Sequence, residues 1–122
     1  METTQGKAVA AYAALNQMAR KPMNSFTAYK LFKLKKAVGM IVEFQSEQER
    51  KIIQELGGSV SEAGAILIDD KEKRIEYAKR HKELEDLPCD VNIEKMTMHM
   101  KELPEMTMAD MDILEEFIDW KE

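Results

Sequence analysis

The longest stretch of helical periodicity in the chain begins at Phe26 and runs to Leu56. Leu31, Leu34, Val38, Ile41, Val42, Ile52 and Ile53 mark its apolar side. Pro22-Met23-Asn24-Ser25 comes just before it, and either Asn24 or Ser25 can accept the free N–H groups of a first turn. Phe26, Tyr29 and Phe32 give the segment a bulky aromatic start. Gly39 costs about 1 kcal/mol in a helix interior. Phe44-Gln45-Ser46 is a candidate bend, with Ser46 able to cap a new helix and Glu49 to answer it. The pattern predicts one long helix over 25–56, or two nearly coaxial ones. Thirty residues at about 1.5 Å each reach roughly 45 Å, so such a rod needs a companion along its length.

Gly57-Gly58 ends the rod, because glycine tolerates the left-handed cap conformation. Residues 57–69 read as a loop. Within it, Ala65-Ile66-Leu67-Ile68 is either a short strand or the apolar tip of a helical hairpin. A second helix is predicted over 70–87, capped by Asp69 or Asp70 and stopped by Pro88. Its apolar positions are sparse (Ile75, Ala78, Leu84, Leu87), which predicts an outer helix with one narrow buried stripe. The expectation is an antiparallel hairpin in which this helix sheathes the long one. Strict alternation follows over Asp90–Glu94 and Lys95–Lys101, the mark of strands with one buried face. A two-stranded ribbon is marginal alone, so residues 90–101 must pack on a helix or pair with Ile66–Ile68. A closing helix is predicted over 107–120, with Thr107 as cap and Met111, Leu114, Ile118 and Phe117 as its apolar side.

The first 24 residues carry a weaker signal. Ala8–Leu15 is an Ala-rich patch, and Arg20, Lys21 and Pro22 close the segment. It reads as a flexible or partly helical arm, leaving residues 25–122 as a single domain. The fold class expected is α+β and predominantly helical: a long antiparallel hairpin, a small β element and a C-terminal amphipathic helix.

Charge changes the picture more than composition does. Residues 1–42 hold seven Lys or Arg and a single Glu, and residues 43–122 hold eleven Lys or Arg against twenty-two Asp or Glu; the chain as a whole carries −5. An acidic total argues against DNA binding by the whole molecule. One cysteine, Cys89, permits no intrachain disulfide. No apolar run approaches the roughly 18–20 residues that span a bilayer, and Met1–Ala19 lacks the apolar core of a secretory signal peptide. Ten methionines are many for this length, and five lie between Met96 and Met108. Methionine fills irregular core gaps and also serves adaptable docking surfaces.

Residues able to carry catalytic or metal chemistry are few and scattered along the sequence. His81 sits in a highly charged helix, and His99 alternates with Met98 and Met100, so both read as solvated. No zinc-hydrolase pair, phosphate-cradling glycine loop or nucleophile elbow occurs. The carboxylates Asp112, Glu115 and Glu116 share a helical face with no matching motif on a second helix. Cys89 has no local base. No cofactor, metal, small-molecule substrate or enzymatic activity is expected. What remains is binding. Phe26, Tyr29, Phe32, Met106 and Trp120 are the candidate anchors of a protein interface, because aromatics and Met are enriched at such contacts. Lys30, Lys33 and Lys36 share a helical flank and are the candidate contacts of the rival, nucleic-acid reading. The same lysines could equally meet acidic protein, in cis or in a neighbouring subunit, and protein contact ranks first.

From Phe26 to Trp120 the order of features resembles a family of small uncharacterised proteins from phages and prophages of Gram-positive bacteria. The resemblance is carried by Leu84-Glu85-Asp86-Leu87 through Val91-Asn92-Ile93-Glu94, and by Leu103–Phe117 with its acidic close Met108-Ala109-Asp110-Met111-Asp112-Ile113-Leu114-Glu115-Glu116-Phe117. It implies a phage accessory role, in tail or virion assembly, by a protein of the host cytoplasm or the virion. It transfers no catalytic residues. The expected function is a non-enzymatic protein-binding or assembly factor that associates with another protein or with itself. An acidic inhibitor of a host nucleic-acid-binding protein is a further alternative.

Overall fold

The computed structural model describes residues Met1–Glu122. It is a predominantly helical α+β fold, 58% helical, with four helices and three two-stranded sheets. In chain order the elements are β1 (Glu2–Thr4), α1 (Gln5–Met18), α2 (Ser25–Glu55), β2 (Ser59–Val60), β3 (Ile66–Leu67), α3 (Lys71–Asp86), β4 (Pro88–Asp90), β5 (Met96–His99), a 3-10 turn (Met100–Glu102), α4 (Met108–Leu114) and β6 (Ile118–Lys121).

The long rod is one helix. Asn24 Oδ1 accepts the Thr27 N–H at 2.8 Å, and α2 then runs unbroken for 31 residues through the expected bend. It ends at Gly57, whose φ of 69° lets the Gly57 N–H reach Gln54 O and the Gly58 N–H reach Ile53 O. Those two bonds satisfy carbonyls that a helix end otherwise leaves open. Asp70 caps α3 through the Glu72 N–H, and Thr107 caps α4 through the Asp110 N–H.

Of the two readings of the N-terminal segment, flexible or partly helical, the structure shows the helical one, packed into the core rather than standing off as an arm. Thr4 caps a full helix, α1, whose Ala8, Ala11, Ala14, Leu15 and Met18 are all buried. These residues recur at helical spacing and face Leu31, Leu34 and Val38 of α2 within one core of 13 residues, completed by Val91, Met98, Leu114, Phe117 and Ile118. Alanine's single methyl holds helices apart very little, so α1 lies close against α2. Tyr12 sits beside Gly39, and Leu15 and Met18 reach Ala28 and Leu31, so the two helices run antiparallel.

The main companion of α2 is therefore α1, not α3 as expected. Leu84 is the only buried residue of α3, and Ile52, Ile53 and Ile68 are buried apart from the main core. Polar side chains bridge α3 and the far half of α2. Arg80 Nη2 lies 2.6 Å from Glu55 Oε2. His81 Nε2 bonds Glu85 Oε1 at 2.8 Å, and its Nδ1 lies 2.9 Å from Glu49 Oε1 without hydrogen-bond alignment.

The β elements also differ from expectation. No ribbon forms over residues 90–101. β4 pairs antiparallel with β1, with Thr3 opposite Cys89, and Val91 N–H bonds Met1 O at 2.8 Å. β5 pairs in parallel with β6, Met96 opposite Ile118 and Met98 opposite Trp120. A parallel pair needs a crossover, commonly helical, and α4 supplies it. The predicted helix over 107–120 accordingly stops at Leu114, and Phe117 N–H turns back to Leu114 O. The loop over 57–69 holds a small exposed hairpin, β2–β3.

Candidate protein-docking face

Thr27, Leu31, Leu34, Val38 and Gln45 turn one side of α2 into the interior. At 100° per residue the opposite side must carry Phe26, Tyr29, Lys33, Lys36, Met40, Glu43, Phe44 and Glu47, and every one of these is exposed. Phe26 is 74% exposed, Tyr29 62% and Phe32 57%. Three large aromatic side chains within two turns, none of them inside, form a contiguous apolar surface of the kind that marks interaction sites.

Lysines frame it. Lys30 Nζ stands 5.3 Å from the Phe26 ring centre, and Lys33 Nζ stands 5.7 Å from that of Tyr29. Cation–π attraction of this kind is worth about 0.5–1 kcal/mol at exposed sites, enough to bias the rings toward these positions. Lys30 also donates to Thr97 O at 3.1 Å, which turns its charge toward β5. Beside Phe32, where the end of α1 meets the start of α2, Leu15, Met18, Met23 and Leu31 line an apolar cavity of ≈ 200 Å³ with Lys35 at its edge. That space is of the order of one large side chain.

Of the five candidate anchors, the structure groups Phe26, Tyr29 and Phe32. It leaves out Met106 and Trp120, which are half-buried and packed against the core. Two further exposed apolar residues of the same helix side, Met40 at 70% and Phe44 at 43%, escaped the sequence reading. Extending the Phe26–Tyr29 spacing through positions 33, 36, 40 and 44 would have found them. Among the nucleic-acid candidates, Lys30 is engaged by Phe26 and Thr97 and Lys33 by Tyr29, while Lys36 makes neither contact.

Away from this face, Tyr77, His81, Glu49 and Glu85 form one polar group between α3 and α2. Cys89 is half-buried in β4. Burial first, then the Asp90 and Glu116 carboxylates, push its thiol pKa up, which disfavours the reactive thiolate. Tyr77 stacks on His81 with ring centres 5.7 Å apart. Its phenol is pushed above 10.0 by burial and then by Glu49 and Glu85. His99 is exposed at the end of β5. No three His, Cys, Asp or Glu side chains are grouped so as to hold a metal ion. No helix is long and apolar enough to cross a membrane.

No family model, curated protein or solved structure matches this chain.

Proposed function

We propose that this protein acts without catalysis, as a docking module that holds another protein against the outer face of α2. The single observation that carries the reading is the exposure of Phe26, Tyr29 and Phe32 together on one helix face. Burying an aromatic side chain contributes about 1.5–3 kcal/mol, and a helix presents its anchors at fixed spacing, so little ordering has to be done on contact. The lysines beside the rings direct approach: between Glu2 and Glu43 the chain has no acid at all, so a partner's acidic residues are drawn to this face. In the phage or prophage setting implied by the resemblance of Phe26–Trp120, such a face would join components of a tail or virion.

A photoreactive benzophenone residue at position 29, introduced in the cell that makes the protein, tests this. One discrete protein adduct is expected, absent when the same label replaces exposed Lys79 on α3 and lost with Phe26→Ser plus Phe32→Ser. Adducts to nucleic acid, with binding that falls steeply with salt, would instead favour the rival use of Lys33 and Lys36. No adduct from position 29 would refute both.

A further inference from the structure

The seam between α1 and α2 is covered on its inner side by the core and open on its outer side. There the cavity of ≈ 200 Å³ beside Phe32 is followed along the seam by a wider hollow of ≈ 500 Å³. Phe32 and Lys35 wall both, so the two are one groove with a partition. Ala19 and Ala28 line its first part, and Gly39 lines its second. Gly39 sits in the interior of α2, where glycine weakens a helix. The packing of α1 does not demand it: a Cβ at this position would meet Tyr12 Cε2 at 3.4 Å, an ordinary contact. What the missing side chain does is keep the groove open.

The partition is Lys35. Its Nζ reaches across the seam to within 5.8 Å of the Tyr12 ring centre on α1, and it has no carboxylate partner in the fold. Around the first part of the groove charge is one-sided. Arg20 and Lys21 follow Ala19 directly, and neither α1 nor this half of α2 holds an acid. Glu105 comes near from the C-terminal half, but it is its backbone carbonyl that accepts from Lys21. On the second part Lys36 and Glu43 share the wall and offset one another, and Arg50 and Lys51 lie two turns beyond it. Averaged over their α2 walls, the two parts lie about seven residues apart, roughly 10 Å or two helical turns.

We propose that this groove receives an amphipathic helix of the partner protein, with one large apolar residue at i, another at i+7, and an acid at i+3 or i+4 between them. Apolar residues seven apart share a helix face and stand as far apart as the two hollows. An acid between them falls on Lys35, the only charged side chain that walls both. An apolar cavity of about 150 Å³ takes up a benzene ring, so the first hollow accepts a leucine or phenylalanine side chain. From Ala28 to Glu43 the groove is about 22 Å long, four turns of a partner helix. The proposal rests on reading the outer face of α2 as a docking surface and supplies the chemistry of what docks; Phe32 belongs to both the exposed aromatic group and the groove.

The test uses the full chain and three alanine-rich peptides of about 18 residues, long enough to be helical alone. The first carries Leu at i and i+7 and Glu at i+3 and i+4, a pattern that reads the same in either direction. The second has Lys in place of both Glu. The third moves the second Leu to i+5, off the shared face. Amide chemical-shift titration of the isotope-labelled protein gives both affinity and place. The first peptide should bind in the micromolar range and move the amides of Ala19, Ala28 and Gly39; the other two should bind at least about tenfold more weakly. Lys35→Glu should reverse the order of the first two peptides. Ala28→Phe, which fills the first hollow from an exposed position, should weaken the first peptide at least about tenfold. Circular dichroism and thermal unfolding of both variants should match the parent, and the three peptides on the parent decide the matter if a variant misfolds. A first peptide silent to about 1 mM, three peptides that bind alike, shifts away from the groove, or an order unchanged by a folded Lys35→Glu variant would each overturn the proposal. If that happens while position 29 still gives its one foreign-protein adduct, the groove is lost and the docking reading stands. If position 29 gives no adduct, the docking reading falls and this proposal with it.

Discussion

Replacing Ala11 by Leu asks whether α1 is wedged into the core or merely laid on it. Ala11 is fully buried, between the equally buried Ala8 and the nearly buried Ala14. Leucine adds three carbon atoms where the α1–α2 seam has no room for them. Its helix propensity is close to that of alanine, so the local helix neither resists nor assists the change. Overpacking of a close-packed core costs about 1–3 kcal/mol. Taking about 2 kcal/mol and a urea slope of about 2 kcal/mol per M, the unfolding midpoint should fall by about 1 M. For 122 residues, at about 2.1 cal/mol/K of unfolding entropy each, the same loss lowers Tm by about 8 °C. Ala78→Leu is the matched control: it is the same chemical change on an exposed helical position, and should stay within about 0.5 kcal/mol. Equilibrium urea unfolding followed by circular dichroism reads both. If Ala11→Leu shifts the midpoint no more than the control does, α1 is not held against α2 as described.

Two other expectations come from single residues. A Cβ on Gly58 would stand 2.7 Å from Ile68 Cγ1 and 2.9 Å from Leu67 O, so Gly58→Ala should destabilise by about 1–3 kcal/mol, measured in the same urea experiment; an unchanged midpoint would show that β3 can move away freely. Because the Tyr77 phenol is pushed above 10.0 by burial, Glu49 and Glu85, the folded state keeps this proton after the unfolded chain has released it. Stability from this group is intact below about pH 10 and is lost as pH rises through the raised value. Tyr77→Phe should flatten that alkaline fall in unfolding curves, and an identical fall in the variant would contradict the assignment.

How much of this was readable beforehand depended on which physical signal each element carries. The long helix was legible because large apolar residues recur along it, and its end because Gly57-Gly58 has one obvious use. The start of α3 and its stop at Pro88 were legible from caps and a missing donor. The helix α1 was not, because alanine contributes little hydrophobic contrast even when wholly buried; its value lies in close approach, which a one-dimensional pattern does not register. The β1–β4 pair joins three residues at one end to three almost ninety positions away, a contact with no local trace. For Ile118–Lys121 the residues fit both periods: Leu114 and Ile118 are four apart, as on a helix, while Ile118 and Trp120 alternate, as in a strand. At the docking face, Phe26, Tyr29 and Phe32 could be grouped from spacing alone, but their exposure depended on Thr27, Leu31 and Leu34 being the inward set. Met106 and Trp120 lie too far along the chain for spacing to place them, and only tertiary packing sets them at the core's rim.

The interior is stitched from both ends of the sequence, Ala8 at one and Ile118 at the other, inside the same cluster. A ribosome that has made α1 and α2 has therefore produced two rods whose shared seam still lacks Leu114, Phe117 and Ile118 to cover it. Until those residues emerge, the alanine stripe and its leucine partners stay partly wet, and closure waits for contacts of high sequence separation, which form late and slowly. The inner side of the α1–α2 seam is therefore fully covered only when Ile118–Lys121 lies beside Met96–His99.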